Sequence, residues 1–277
     1  MSTPSASEAG VFFTPQQRQA ALDSLLAAFE ADSRIAGVIV VGSGSVGFAD
    51  EYSDIDLDVV MHAADDVAPV VVEWTARIRE MFDVWGQFGV DYAPDSFLRG
   101  FLLANYLELD IGFVYLGNLA AGKWRWRVAF DRSGQIEDIQ QRTWAAHQGP
   151  DVRAEYEHAL GIIWHNVLHV AVAVRRGQVW RAMHDLDTVR QMAIAMAGLR
   201  HDLNVKRARY ADELPAEFRA ALERSLPGSA TPEAIMGALQ AATECFFSEA
   251  RGVAQTRGVA PPDALADRLL ALLDAWT

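Results

Sequence analysis

Hydrophobic and polar residues follow two different patterns in the two halves of this chain. In the first half, Ile35–Val41 is a continuous apolar run that predicts a buried strand, and Leu57–Met61 predicts a partner strand. Two further strand-like runs, Phe97–Ala104 and Tyr106–Leu116, meet at Asn105 and predict a hairpin. We therefore expect a sheet in this half.

Helices are predicted around these strands. Thr14–Glu30 has apolar residues at helical spacing, and Thr14 followed by proline is typical of an N-cap. Pro69–Phe82 has the same periodicity, with Pro69 suited to a first turn. Arg127–Phe130 predicts a short strand, and Gln135–Gln148 a helix.

The pattern changes after Gly149-Pro150, which is the best boundary signal. The rest of the chain is rich in Ala, Leu, Glu and Arg and predicts five helices. These are Asp151–Val174, Gln178–Leu199, Pro215–Leu226, Thr231–Gly252 and Pro262–Trp276. The predicted fold class is α+β: a mixed sheet with helices over residues 1–149, followed by an all-α helical bundle over residues 150–277.

Composition and charge restrict the function. The 277 residues carry a formal net charge of −13 and only two lysines, so the basic track that a nucleic-acid partner requires is missing. No long uncharged apolar run predicts a membrane span. Met1–Gly10 does not resemble a secretory signal, and Cys245 is the single cysteine. We therefore expect a cytoplasmic protein without a membrane or nucleic-acid partner; the oligomeric state is not indicated.

The clearest chemical signal lies between the first two predicted strands. A Gly-rich bend, Gly42–Gly47, leads to Ser53-Asp54-Ile55-Asp56. Side chains alternate along a strand, so Asp54 and Asp56 project from one face, although strands disfavour aspartate. Mg²⁺ prefers one or two carboxylates together with substrate phosphates, and a Gly-rich turn lets backbone N–H groups approach those phosphates. The pattern indicates a site for a metal ion and a nucleoside triphosphate.

This stretch resembles the signature of the DNA polymerase β-like nucleotidyltransferase superfamily: an apolar strand, Gly-Ser, about ten residues, then Asp-x-Asp. The residues from Gly47 to Asp54 are most similar to the corresponding motif of the small-molecule branch, which includes aminoglycoside and lincosamide nucleotidyltransferases. Trp126–Gly134 and Arg176–Arg190 extend the resemblance into both halves of the chain. Many relatives carry Arg or Lys just before Gly47, whereas this chain has Val46.

A third carboxylate is expected on a neighbouring strand, because two metal ions need more ligands than Asp54 and Asp56 provide. Glu108 and Asp110 are two residues apart and share a strand face. The resemblance gives Asp110 the third ligand position and a role in accepting the hydroxyl proton. Glu108 is the alternative base, or a residue at the rim of the acceptor site.

The resemblance also suggests residues that bind the nucleotide. Gly42 and Ser43 would hold the terminal phosphates, whereas Ser53 would contact the nucleotide or fix the turn before Asp54. In related adenylyltransferases a lysine and an arginine of the helical domain bind the triphosphate. Lys206 and Arg190 are the candidates here, with a surface lysine and a helix-surface ion pair to Asp187 as alternatives.

Two other sets of residues have both a functional and a structural interpretation. Asp58 follows the acidic pair on the same face and would either extend the site or pair with an arginine such as Arg99 or Arg127. His165 and His169 have the i,i+4 spacing of metal ligands, but an interior or interface pair is the favoured interpretation.

The sequence therefore favours a Mg²⁺-dependent nucleotidyltransferase with two metal ions. We expect it to transfer a nucleoside monophosphate from ATP or another nucleoside triphosphate to a hydroxyl of a small, cationic molecule, with AMP as the preferred group. An aminoglycoside or lincosamide antibiotic would fit, which implies antibiotic resistance as a role. The alternatives are a protein or RNA acceptor, as in toxin–antitoxin pairs, and a non-catalytic nucleotide-binding regulator.

Overall fold

The computed structural model describes residues 12–122, 125–146 and 151–276. The chain divides into two compact units, Met1–Gln148 and Gly149–Thr277. Gly149-Pro150, where the sequence predicts a boundary, and Met1–Gly10 lie outside the described residues. Within the described ranges, no helix combines the length and apolar character needed to cross a bilayer.

The first unit is built on a six-stranded mixed sheet. Its strands are β1 (Ile35–Val41), β2 (Ile55–Met61), β3 (Val84–Ala93), β4 (Ser96–Leu103), β5 (Glu108–Tyr115) and β6 (Trp126–Asp131). They lie in the order β3-β4-β5-β2-β1-β6. β2 and β5 run parallel, whereas the other neighbouring pairs are antiparallel. The predicted pairing of the first two strands and the predicted hairpin of β4 and β5 are both confirmed.

In the described part of this unit, the α-helices are α1 (Pro15–Glu30), α2 (Ala64–Met81) and α3 (Ile136–Ala145). Thr14 is the N-cap of α1, as predicted, and forms a capping box with Gln17. Leu22, Leu25 and Phe29 of α1 are fully buried in one core with Trp74 of α2 and the apolar face of the sheet. A smaller core on the other face includes Ile136 of α3.

The predicted start of α2 is wrong. The helix begins at Ala64, five residues before Pro69, so this proline lies inside the helix and not in its first turn. Asp65 and Asp66 occupy the first turn, where negative charge interacts favourably with the helix dipole. These acidic residues, and not the proline, mark the first turn of the helix.

The edge strand β3 was not predicted. It is mostly exposed and pairs with β4 alone, so its sequence lacks the alternation that a half-buried strand would show. Gly86 and Gly89 interrupt it further. An edge strand needs few buried side chains, because its main-chain bonds to β4 hold it in place.

The second unit is all helical. Its helices are α4 (Val152–Arg175), α5 (Val179–His201), α6 (Ala216–Glu223), α7 (Pro232–Arg257) and α8 (Asp263–Trp276). Gly177 lies in the connection between α4 and α5. Its φ of +69° is in the left-handed region that favours glycine and is typical of a residue that follows the end of a helix. α4, α5 and α7 surround a continuous core that contains Phe246 and Phe247. The predicted fold class, a mixed sheet with helices followed by an all-α unit, is confirmed.

Candidate active site

Three aspartates come together where β2 and β5 begin. Asp56 and Asp110 are Cα partners across this parallel pair, and Asp54 lies two residues before Asp56 on the same face. One carboxylate oxygen from each residue lies within 4.8 Å of the others. All three residues are partly buried. The structure thus brings together the three carboxylates that the sequence nominated as metal ligands.

The apolar residues that alternate with these aspartates are buried on the other side of the sheet, and this determines the face on which the carboxylates lie. Ile55 and Leu57 flank Asp56, and Leu109 and Ile111 flank Asp110; all four are at most 1% exposed. A shift of register by one residue would place these apolar side chains in solvent and the aspartates in the core. Hydrophobic burial therefore keeps the carboxylates together on one face.

This concentration of negative charge favours the binding of a cation. Two unit charges about 4 Å apart near a protein surface repel each other by about 4 kcal/mol. Like charges on directly opposed strand residues destabilise a sheet. Carboxylate oxygens are the ligands preferred by Mg²⁺ and other hard divalent cations, so the donor set fits such a metal.

The Gly-rich bend begins beside the acidic residues. Val41, the last residue of β1, is the partner of Asp56, and the next five residues form a short 3₁₀ helix, Gly42–Val46. Gly42 and Gly47 have φ of +64° and +94°, values that favour glycine. Ser43 is half-buried, and its carbonyl accepts a hydrogen bond from the Phe48 N–H at 2.8 Å. Gly42 and Ser43 therefore lie at the edge of the carboxylate cluster.

Ser53 is part of the turn that leads to Asp54. Its hydroxyl donates to Oδ1 of Asp50 at 3.0 Å, and the same oxygen accepts from the N–H of Tyr52 at 2.9 Å. Ser53 is 9% exposed. This placement favours the structural alternative for Ser53 over a contact with the nucleotide.

Sequence reasoning missed Arg18. This residue of α1 is 4% exposed and donates from Nη1 to the carbonyls of Asp50 and Ser53, both at 2.9 Å. Burial lowers the pKa of Arg18, and the nearby carboxylates of Asp50 and Asp54 oppose that shift. A signal was present in the sequence, because Arg18 precedes Leu22 and Leu25 by four and seven residues and so lies on the apolar stripe.

An aromatic ring borders the acidic cluster on the side of β4 and β3. Asp110 is opposite Gly100 on β4, and Gly100 is opposite Phe88 on β3. The ring of Phe88 covers Gly100 so closely that a Cβ there would collide with it. Phe88 remains 48% exposed. Glu108, two residues before Asp110, is also exposed at this side of the cluster.

Asp58 lies one step further along β2. It is the partner of Gly112, and a Cβ at that glycine would be 2.5 Å from its Oδ1. The residue borders a cavity of about 160 Å³ that Tyr92 and Leu98 also line. Arg99, one of the predicted partners, forms an ion pair with Asp91 at 2.7 Å.

The chain is similar to two solved nucleotidyltransferase-like structures. It matches the crystal structure of an aminoglycoside 6-adenyltransferase from Bacillus subtilis at 12% identity and a TM-score of 0.47, with 96% of this chain and 99% of that chain covered. It matches a nucleotidyltransferase-like protein from Exiguobacterium sibiricum 255-15 at 12% identity and a TM-score of 0.40, with 86% and 77% covered. No family model and no curated protein matches the sequence.

The other predicted nucleotide ligands lie in the helical unit. Arg190 forms an ion pair with Asp187 at 3.0 Å, which is the structural alternative that the sequence allowed. Lys206 is exposed at the start of a short 3₁₀ helix, Lys206–Ala208. Their role toward a triphosphate stays a prediction.

His165 and His169 lie on the surface of α4 with ring centroids 3.9 Å apart. Across the described ranges, Asp54, Asp56 and Asp110 form the group of three or more potential ligands close enough to hold a metal ion. The histidines are not part of such a group in that portion of the chain. Their surface position corrects the interior alternative of the sequence analysis.

Proposed function

We propose that this protein is a nucleotidyltransferase that transfers AMP, or another nucleoside monophosphate, to a hydroxyl of a small cationic molecule. The observation that carries the proposal is the cluster of Asp54, Asp56 and Asp110 beside a Gly-rich bend. Either feature alone occurs in many proteins. Their combination supplies carboxylates for a metal and backbone N–H groups for phosphates at one place.

Asp54, Asp56 and Asp110 would hold the divalent metal, for which we propose two Mg²⁺ ions. When bound, the metal neutralises charge on the triphosphate and lowers the pKa of the attacking hydroxyl. Gly42 and Ser43 are proposed to position the terminal phosphates. Because the cluster is partly buried, its carboxylates keep their orientation better than flexible surface carboxylates would.

The proposed reaction is an in-line substitution at the α-phosphorus. The acceptor oxygen forms a new P–O bond, the bond between the α-phosphorus and the bridging oxygen breaks, and pyrophosphate leaves with that oxygen. Asp110 is proposed to receive the hydroxyl proton, with Glu108 as the alternative base. Both residues start β5 and share one face of that strand.

The order of the strands suggests where the acceptor binds. The phosphate-binding bend follows β1, whereas Asp110 lies on β5, on the other side of β2. In an in-line reaction the attacking and leaving groups occupy opposite sides of the phosphorus. With pyrophosphate beside Gly42 and Ser43, the acceptor would approach from the side of β5, β4 and β3, where Glu108 and Phe88 are exposed.

These residues suit a positively charged acceptor. A carboxylate binds an ammonium group, and the face of an aromatic ring attracts a cation. The formal net charge of −13 would also steer cations toward the protein. Aminoglycosides and lincosamides carry both amino and hydroxyl groups, so we propose them as the first compounds to test.

A pyrophosphate-release screen tests this function. The protein is incubated with Mg²⁺, each nucleoside triphosphate in turn, and a panel of aminoglycosides and lincosamides. Release that requires both a nucleotide and one acceptor, and that is lost in Asp56→Asn, supports the proposal. Labelling of a protein or RNA from a lysate in place of a small molecule would support the alternative acceptors, and nucleotide binding without any transfer would support a regulator.

A further inference from the structure

Arg18 occupies an unusual environment for a charged side chain. It is 4% exposed, and its guanidinium lies 3.9 Å from the centre of the Phe48 ring. Burying a charge is expensive unless hydrogen bonds and nearby opposite charges compensate for the lost water. Here one nitrogen, Nη1, donates to both the Asp50 and Ser53 carbonyls.

These contacts connect two segments that border the carboxylate cluster. Phe48 directly follows Gly47 at the end of the Gly-rich bend, and its φ of +67° lies in a region that non-glycine residues rarely adopt. Asp50 and Ser53 bound the turn that leads to Asp54. A strained residue persists where its surroundings hold it, and the guanidinium of Arg18 packs directly on this one.

We propose that Arg18 is a positioning residue that fixes Asp54 and the Gly-rich bend relative to each other, and thereby sets the affinity of the site for its divalent metal. This inference rests on the proposed function. Arg18 itself lies on α1, which packs in the core on the opposite face of the sheet from the carboxylates. It therefore acts through the two segments and not by contact with substrate.

The chain provides a control in Arg132, which makes similar contacts but is exposed. This arginine also donates to main-chain carbonyls, those of Asp32 and Ile35, and also lies over an aromatic ring, that of Phe130. Its contacts are at the start of β1, whereas the carboxylate cluster is beside the end of that strand. Loss of Arg132 should therefore affect stability without affecting the metal site.

The experiment measures Mn²⁺ binding by electron paramagnetic resonance in the presence of a non-hydrolysable ATP analogue. Wild type, Arg18→Met, Arg18→Lys, Arg132→Met and Asp56→Asn are compared at a temperature at which circular dichroism shows each variant folded. Loss of a residue that orients metal ligands typically weakens metal binding about 10–100-fold. We expect a Kd increase of about 10-fold or more for Arg18→Met, and wild-type affinity for Arg132→Met.

Arg18→Lys keeps the result interpretable if Arg18→Met does not fold. Lysine retains the charge but loses the planar group that stacks on Phe48, so we expect a weaker Mn²⁺ affinity than that of wild type. Wild-type Mn²⁺ affinity in the folded Arg18 variants would overturn the inference alone. Equal Mn²⁺ binding by wild type and Asp56→Asn would instead overturn the proposed function.

Discussion

Asp56 and Asp110 face each other across two parallel strands, and the apolar residues that flank them point to the opposite face and are at most 1% exposed. Antiparallel pairing to β1 on one side and to β4 on the other holds both strands, so neither aspartate can move away without disrupting the sheet. The fold therefore holds a costly pair of like charges in place. A divalent cation bound between the two carboxylates would offset this repulsion, and this is the link between the sheet architecture and the proposed metal-dependent chemistry.

The first prediction concerns Asp54 and Asp56. Asp54→Asn and Asp56→Asn should each abolish nucleotidyl transfer, because each variant removes a charged metal ligand. Both variants should stay folded, since each also relieves repulsion between carboxylates. Asp138→Asn, at an exposed carboxylate of α3, is the control and should keep full activity. Transfer at a near wild-type rate in either cluster variant would contradict the metal assignment.

The second prediction separates Asp110 from Glu108. As both ligand and base, Asp110 should matter for the chemical step, so Asp110→Ala should lower kcat by at least about 10²–10⁴-fold. Nucleotide affinity, measured by calorimetry, should change far less. Glu108→Gln should leave kcat within about 10-fold of wild type while raising the KM of a cationic acceptor. The reverse pattern would assign the base to Glu108.

The third prediction uses two glycines of the same hairpin. A Cβ at Gly100 would collide with the ring of Phe88, whereas a Cβ at Gly86 would meet Leu102 at an ordinary 3.6 Å. Gly100→Ala should therefore lower the free energy of unfolding by about 1–3 kcal/mol and displace the ring. Gly86→Ala should have a smaller effect. Urea unfolding of both variants checks this, and equal losses would contradict the described packing of Phe88.

The same pair of variants also tests the acceptor side of the site. Displacement of the Phe88 ring in Gly100→Ala should raise the KM for the acceptor and leave the KM for the nucleotide unchanged. An increase confined to the nucleotide KM would place the nucleotide, and not the acceptor, beside β3 and β4.

The fourth prediction is a pH dependence of stability that arises from Asp32. Hydrogen bonds from the Arg34 side chain, together with one from Trp74, lower the pKa of Asp32 to about 2. A carboxyl whose pKa is lower in the folded state than in the unfolded state stabilises the protein above pH 4. That contribution, on the order of 2 kcal/mol, disappears as the pH falls toward 2. The advantage of wild type over Asp32→Asn in urea unfolding should therefore shrink across this interval; a constant difference would contradict the assignment.

Much of this architecture could be predicted because local signals agreed with tertiary packing. Thr14 caps α1 as its sequence context indicates, and the apolar run Ile35–Val41 forms β1 with the predicted bounds. Asp54 and Asp56 could be nominated because aspartates in strand-forming sequence require an explanation, whereas Asp110 was assigned by the resemblance to the nucleotidyltransferase superfamily. These signals depend on neighbours in the chain or on simple periodicity.

The parts that escaped prediction depend on contacts between distant segments. Arg18 is separated from Ser53 by 35 residues, so even its position on the apolar stripe, which indicates burial, could not identify its partners. β3 is held by main-chain bonds to β4 and leaves no pattern of buried side chains. The predicted start of α2 was wrong because Pro69 is typical of a first turn, whereas the helix begins five residues before it.

The most direct measurement is anomalous diffraction from crystals of the wild-type protein grown with Mn²⁺ and a non-hydrolysable ATP analogue. We predict a Mn²⁺ peak within direct bonding distance of carboxylate oxygens of Asp54, Asp56 and Asp110, with the terminal phosphates of the nucleotide beside Gly42 and Ser43. Nucleotide bound elsewhere, or Mn²⁺ found away from these three carboxylates, would contradict the assignment of this cluster as the active site.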